Sequence, residues 1–209
     1  MQKVRVLYML LCALTLSFNA QATKNEGEVG TAIATSKETV RQLTLEIKQN
    51  PASALAYANR GVVRLELGDT FGAIKDFTAS LKLDPQSVAV LQSRSQAFLQ
   101  IGAYKEAMQD ITSAMASGAS PALLYDRAVL KYHTDDYFGA LQDLTDVLVA
   151  TPDHGKALYN RAVILLELNK TQEALTDLES YLKLHPEDQN GLYALSQAQK
   201  EAARKGETR

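Results

Sequence analysis

A fixed spacing organises most of this chain. Pro51 and Pro85 are separated by one repeat unit, and so are Pro152 and Pro186. Two further units separate Pro85 from Pro152, and the second of these is one residue shorter than the first. The period of about 34 residues is typical of stacked supersecondary units, each of which buries its apolar face against its neighbours. The spacing therefore predicts a linear array of repeated units.

Each unit carries matching side chains at four positions. Small residues form two columns, turn-forming residues a third and apolar residues a fourth: Gly61, Ser95, Ala128 and Ala162; Ala73, Ala107, Ala140 and Ala174; Gly68, Gly102, Asp135 and Asn169; Phe77, Ile111, Leu144 and Leu178. Small side chains allow two antiparallel helices to approach closely, and Gly, Asn and Asp tolerate the positive φ that ends a helix in a tight turn. The apolar column lies one helical turn past the alanine, on the same helix face. The unit is therefore a helix, a short turn and a second helix.

These columns predict a helical repeat domain over 35–206. The expected helix pairs, in repeats 54–87, 88–120, 121–154 and 155–188, are 54–67 and 71–82, 88–101 and 105–116, 122–134 and 138–149, and 156–168 and 172–183. A single helix over 37–49 precedes them, opened by a capping box at Thr35–Glu38. A capping helix over 189–204 follows, and its distal part is polar, as the solvent-facing end of an array should be.

The repeated unit resembles a known family. Tyr57-Ala-Asn-Arg-Gly61, Gly68-Asp69, Ala73 and Leu83-Asp-Pro85 resemble one tetratricopeptide repeat, and the next three units resemble three more. The resemblance implies an all-α, right-handed α-solenoid in which first helices line a concave face and second helices the convex face. It also implies a scaffold that binds other proteins.

Residues 1–22 differ from the repeats. A cationic start at Met1–Arg5 precedes an apolar run over Val6–Phe18, and Ala20 and Ala22 supply the small residues of a cleavage site. The run is too short to span roughly 30 Å of hydrocarbon comfortably. We therefore expect a signal peptide cleaved after Ala22, a periplasmic or secreted protein and no stable membrane insertion after cleavage; the alternative is a buried N-terminal helix. Residues 23–34, which are rich in Gly and polar residues, are expected to form a flexible leader.

Composition and motifs argue against several functions. The formal net charge is −2 and no basic face stands out, so no nucleic-acid partner is expected. His133, His154 and His185 have no second His or Cys at ligand spacing, so no metal site is expected. Neither a Gly-rich phosphate loop nor a nucleophile elbow is present. We expect no enzymatic activity and no cofactor.

An ionic column repeats with the same period. An arginine precedes an aspartate by the same interval in each unit: Arg60 and Asp76, Arg94 and Asp110, Arg127 and Asp143, Arg161 and Asp177. The two residues would lie at about the same height in an antiparallel hairpin. We interpret them as structural ion pairs, with anion binding or catalysis by the arginines as the alternative. The spacing leaves open whether each arginine pairs within its own repeat or with the preceding one.

The predicted concave face contains the candidate site for a partner. A row of tyrosines, a row of valines and two asparagines compose it: Tyr125, Tyr159 and Tyr193; Val62, Val129 and Val163; Asn59 and Asn160. The aromatic and apolar rows suggest a surface that binds apolar side chains, unless the tyrosines pack between adjacent first helices. The resemblance implies that an asparagine at 59 and 160 bonds the backbone of a bound peptide; Ser93 and Asp126 depart from this pattern.

The leading hypothesis is a non-catalytic adaptor that binds a peptide segment or helix of a protein partner in this groove. Family members that bind chaperones grip a carboxylate with basic groove residues, but Ala58, Val62, Ser93, Ala122 and Asp126 stand at those places here. That special function is therefore excluded. The alternative is a self-associating structural protein whose end helix fills a neighbour's groove, which leaves a homo-oligomer open. A third hypothesis is a fragment of an envelope enzyme complex with catalysis in a partner.

Overall fold

The computed structural model describes residues 26–207, so the predicted signal peptide lies outside the described residues. The helices of this part of the chain are α1 (Glu26–Gln49), α2 (Ala54–Glu66), α3 (Thr70–Leu83), α4 (Val88–Gln100), α5 (Tyr104–Met115), α6 (Pro121–His133), α7 (Tyr137–Ala150), α8 (Gly155–Glu167), α9 (Thr171–Leu184) and α10 (Gln189–Glu207). Residues 26–207 contain no β-strand. The predicted all-α fold is confirmed.

Four antiparallel pairs, α2–α3, α4–α5, α6–α7 and α8–α9, stack in chain order, with α1 before them and α10 after them. The first helix of each pair also packs on the second helix of the preceding pair. The eight paired helices begin and end within one residue of the predicted bounds. The fold is therefore the predicted α-solenoid of stacked helix pairs.

The turn inside each pair depends on one residue with positive φ. The angle is 79° at Gly68, 74° at Gly102, 61° at Asp135 and 59° at Asn169. These are the four residues of the turn-forming column. Glycine adopts this conformation without a Cβ penalty, and Asp and Asn are among the side chains that tolerate it best. The short turn places the two helices of a pair side by side.

Close packing inside each pair explains the small-residue columns. The column of Ala73 is completely buried in all four repeats, and the apolar column of Phe77 is at most 1% exposed. A Cβ built at Gly61 would lie only 2.6 Å from the Phe77 ring. The first repeat therefore combines its largest core side chain with its smallest facing residue, a volume balance that close-packed interiors require.

The structure differs from expectation at both ends. Helix α1 begins at Glu26, not at residue 37, so the expected flexible leader is helical from residue 26 onward. The capping box does not form, because Thr35 lies inside α1, where its carbonyl accepts a bond from the Thr39 hydroxyl at 2.9 Å. The two glycines of the segment, Gly27 and Gly30, suggested a loop, although a helix tolerates an isolated glycine at a cost of about 1 kcal/mol. Helix α10 extends beyond residue 204 to Glu207.

Candidate partner-binding site

Each arginine of the ionic column binds the aspartate of its own repeat. In all four pairs Nη2 donates to Oδ1 at 2.7 Å and Nε donates to Oδ2 at 2.8 Å. The four aspartates are between 2% and 5% exposed. A two-point bond between planar groups fixes the distance and the angle between the two helices of a pair. The geometry favours the structural interpretation, because both oxygens of each carboxylate are engaged within the protein.

Three of these arginines also contact the helix that precedes their own pair. Nη1 donates to a threonine hydroxyl on the helix before the pair: Arg60 to Thr44 at 3.0 Å, Arg94 to Thr78 at 3.0 Å and Arg161 to Thr145 at 3.4 Å. Arg127 makes no such bond within residues 26–207. The repeat before Arg127 is the one that is shorter by one residue. The threonine of this repeat that is nearest to the required position, Thr112, donates instead to the carbonyl of Met108 at 2.7 Å.

A second cation supports the aspartate in the first and third repeats. Arg64 Nη1 lies 2.9 Å from Asp76 Oδ2, and Lys131 Nζ lies 2.9 Å from Asp143 Oδ2. Burial favours the neutral form of Asp143, but the hydrogen bonds from Arg127 and Lys131 outweigh it, and the pKa of this carboxyl is lowered. The lowered pKa favours the ionised carboxylate, and both of its oxygens are engaged by Arg127 and Lys131.

Hydrogen bonds join neighbouring first helices along the face that is predicted to be concave. The Tyr125 hydroxyl of α6 accepts a bond from Asn160 Nδ2 of α8 at 3.0 Å. Asp126 Oδ2 accepts bonds from Gln92 Nε2 at 2.6 Å and from Gln96 Nε2 at 3.3 Å, both on α4. The sequence columns placed Tyr125 and Asn160 on one face but did not indicate the bonds between columns. Asn160 lies one residue past the position equivalent to Tyr125, and Asp126 lies one residue past the position equivalent to Gln92.

Tyr125 is a partly enclosed member of the row. Its ring packs against His154 with 5.2 Å between centroids. Burial raises the pKa of Tyr125 to about 12, although the bond from Asn160 acts in the opposite direction. The bond from Asn160 and the contact with His154 fix the orientation of the half-buried Tyr125 side chain.

Tyr159 packs into the protein more deeply than a groove-lining residue should. Its hydroxyl is buried and has no hydrogen-bond partner among the residues that the structure describes. Ala194 of α10 stands where Asn160 stands one repeat earlier, so the bond made by Tyr125 has no equivalent here. The ring contacts Tyr181 at 5.2 Å and packs against the core of α8, α9 and α10. Burial raises the pKa of Tyr159 to about 12. The observed contacts are those of the packing alternative.

The remaining members of the predicted groove are more open. Tyr193 is 47% exposed and Val62 is 41% exposed, while Val129 and Val163 are half-buried. Asn59 is exposed and makes no side-chain hydrogen bond to the described residues. The structure thus brings Tyr125 and Asn160 into contact, places Tyr193 on the open surface at the end of the array and leaves Asn59 and Val62 at its beginning.

The described residues provide neither a cluster for a metal ion nor a membrane-spanning helix. In the part of the chain that the structure describes, no group of three or more His, Cys, Asp or Glu residues is placed to hold a metal ion. No helix between residues 26 and 207 is both long and apolar enough to cross a membrane.

Solved structures with this fold share little sequence with the chain. YrrB, described as a TPR protein with an unusual peptide-binding site, is 18% identical with a TM-score of 0.64, over 75% of this chain and 81% of that one. A structure of MamA is 18% identical with a TM-score of 0.66, over 74% and 85% of the two chains. MamA from Desulfovibrio magneticus RS-1, from residue 41 to its end, is 16% identical with a TM-score of 0.69, over 79% and 94%. No curated protein sequence matches.

The family comparison agrees with the helix pairs. The model of the tetratricopeptide repeat matches residues 59–122 and 125–189, which together make up more than half of the chain. Each match spans two successive repeats of the structure. The ion-paired hairpins, the positive-φ turns and this match lead to one conclusion: the chain belongs to the tetratricopeptide repeat family.

Proposed function

We propose that the protein is a non-catalytic adaptor that binds an extended segment or a helix of another protein along its concave face. The observation that supports the proposal is that two residues of the predicted groove, Val62 at the beginning of the array and Tyr193 at its end, are each more than two-fifths exposed. Large apolar side chains on a concave surface favour a partner that buries them.

Polar groups on the same face can orient a bound chain. Asn160 uses one amide hydrogen on Tyr125, and its carbonyl oxygen remains able to accept a bond from a partner's backbone. Asn59 can both donate and accept. Backbone bonds of this kind hold a segment without reading its side chains, whereas the apolar rows select for apolar anchors. YrrB, which shares the fold, is described as having a peptide-binding site, and this supports a peptide as the class of ligand.

Tyr193 is the best position from which to identify the partner. A photoreactive residue introduced there should capture the bound protein in cells, and the same residue at Val149, which is 78% exposed in a second helix, is the matched control. A partner specific to position 193 supports the proposal. Equal capture from both positions would refute the groove as the binding site.

A binding measurement then tests the role of the exposed ring. Once the captured segment is known, Tyr193→Ala should weaken its binding by about 1–3 kcal/mol, as expected for an interface anchor. Because the ring is exposed, the melting temperature should hardly change. Titration calorimetry and a thermal melt on the same preparation measure both quantities. Unchanged affinity would refute the role of Tyr193.

We also propose that the protein acts outside the cytoplasm. The cationic start, apolar run and Ala-Gln-Ala sequence at residues 20–22 support a cleaved signal peptide. N-terminal sequencing of the protein recovered from the periplasm or the medium should begin at Thr23. Recovery of the protein only inside the cell, with Met1 retained, would refute export.

A further inference from the structure

The two ends of the array carry unpaired helices of opposite type. Thr44 of α1 lies one repeat length before Thr78 and accepts the same arginine bond, so α1 is a second helix without a first helix before it in the described chain. Gln189 of α10 lies one repeat length after Gly155 of α8, so α10 is a first helix without a second helix after it within residues 26–207. Together α10 and α1 contain the two halves of one repeat.

The faces that a missing partner would cover are open at both ends. Gln42 and Glu46 of α1 are exposed, whereas Asp76 and Ser80, their equivalents in the first repeat, are 2% and 1% exposed. The two α1 residues lie in a surface groove that also contains Leu43. On α10, Leu192 is 42% exposed, whereas its equivalent Leu158 is 6% exposed.

Both end helices are also longer than the helices between them. The inner helices have 12 to 14 residues, whereas α1 has 24 and α10 has 19. The additional residues lie at the start of α1 and at the end of α10, the two places that a short turn joins in every inner pair. Two helices from different molecules need no such turn, and their extensions can run side by side.

We propose that α10 of one molecule pairs with α1 of a second copy of this chain, completing a fifth repeat between them. The inner repeats give the contacts by equivalence. Ser196 stands in the small-residue column and faces Leu43, which takes the place of Phe77. Leu195 and Gln42 take the arginine and aspartate positions of the ionic column and face each other. Neither side therefore buries an unpaired charge.

The two surfaces are different from each other, so the contact is heterologous. Each molecule presents both surfaces, and every added copy exposes a new end, which gives an open chain of molecules rather than a closed dimer. The concave face remains available along this chain. The inference thus goes beyond partner binding and does not depend on it.

Directed disulfide formation tests the pairing. In full-length protein carrying Cys12→Ser, the variants Leu43→Cys and Ser196→Cys are prepared separately, mixed and oxidised. The close approach of Gly61 and Phe77, the equivalent positions, favours a bond between the two cysteines. We expect a covalent dimer from the mixture, only monomer from each variant alone and a ladder of larger species from a chain carrying both cysteines.

The controls separate this pairing from other associations. Val149→Cys mixed with Ser196→Cys should yield at least tenfold less dimer than the Leu43→Cys mixture. Equal yields, disulfide dimers of either variant alone at the same level, or no product from the mixture at millimolar protein would overturn the proposal. Insertion of α10 into a neighbour's concave groove would appear as this last outcome.

Sedimentation equilibrium provides a second readout that does not depend on cysteine chemistry. The mean mass should rise continuously with protein concentration. Leu192→Glu, which places a carboxylate near Glu46, should keep the protein monomeric, whereas Val149→Glu should not. Tyr193→Ala should leave the mass unchanged while weakening partner binding, so failure of one proposal is distinguishable from failure of the other. A mass that does not depend on concentration would overturn end-to-end pairing.

Discussion

Removing a single oxygen atom from Tyr159 should stabilise this protein. The hydroxyl is buried without a hydrogen-bond partner in the described part of the chain, whereas the ring packs against Tyr181 and the core. An unpaired buried hydroxyl costs about 1–3 kcal/mol. Tyr159→Phe keeps the ring contacts and removes the hydroxyl. Because the residue as a whole is half-buried, we expect a gain near the lower end, about 1 kcal/mol, which raises the melting temperature by about 2–4 °C in a domain of this size.

Tyr125→Phe is the matched control, because it removes a hydroxyl that does accept a bond, from Asn160 at 3.0 Å. It should destabilise the protein by about 0.5–1.5 kcal/mol. The chain has no tryptophan, so urea unfolding is best followed by circular dichroism at neutral pH. Opposite signs for the two variants are the expected result. If both variants destabilise the protein equally, the Tyr159 hydroxyl has a partner in solution and the argument from its burial is wrong.

Three further predictions concern charge, pH and backbone conformation. Arg127→Leu should destabilise the protein by about 3–5 kcal/mol, and more than Arg127→Leu with Asp143→Leu, because the single change strands a buried carboxylate; equal losses in chemical denaturation would mean that the pair is solvated. Stability should be constant from pH 7 to about pH 10 and should fall between pH 10 and 12. Burial raises the pKa of four tyrosines to about 12 in the folded state, above the value of 10.0 for an unfolded chain: Tyr125, Tyr132, Tyr159 and Tyr181. The folded protein then binds more protons than the unfolded one, and urea midpoints that stay level to pH 12 would contradict this. Asn169→Gly should stabilise the protein by about 1 kcal/mol, since Asn169 has a φ of 59°, and a lower thermal midpoint would show that the asparagine side chain contributes more than the strain costs.

The helix pairs could be predicted from sequence because local chemistry repeats in each unit. Four turn residues, four alanines and four arginine–aspartate spacings all point to one hairpin, and agreement among independent signals is what makes a sequence specify a fold. The start of α1 could not be predicted in this way, because it lies outside the repeated pattern and contains two glycines.

The candidate site was less predictable for a different reason. Tyr125, Tyr159 and Tyr193 occupy equivalent positions in the sequence. The first helix of the following repeat places Asn160 beside Tyr125, whereas α10 places Ala194 beside Tyr159. No helix follows Tyr193 and α10 within residues 26–207. Exposure thus depends on a neighbour one repeat further along the chain. A column of identical residues does not contain that information, whereas a comparison of neighbouring columns does.

The missing threonine bond at Arg127 has a consequence for how the folded array opens. Repeat proteins unfold in segments when the coupling between neighbouring units is weaker than the units themselves. At the other arginine positions one guanidinium holds both its own hairpin and the helix before it. Between α5 and α6 this link is absent, and the bonds from Gln92 and Gln96 of α4 to Asp126 of α6 cross the same boundary without an ion pair. Native-state hydrogen exchange should therefore show two cooperative blocks, residues 54–115 and 121–184, which separate at Gly118 before either block loses its own protection.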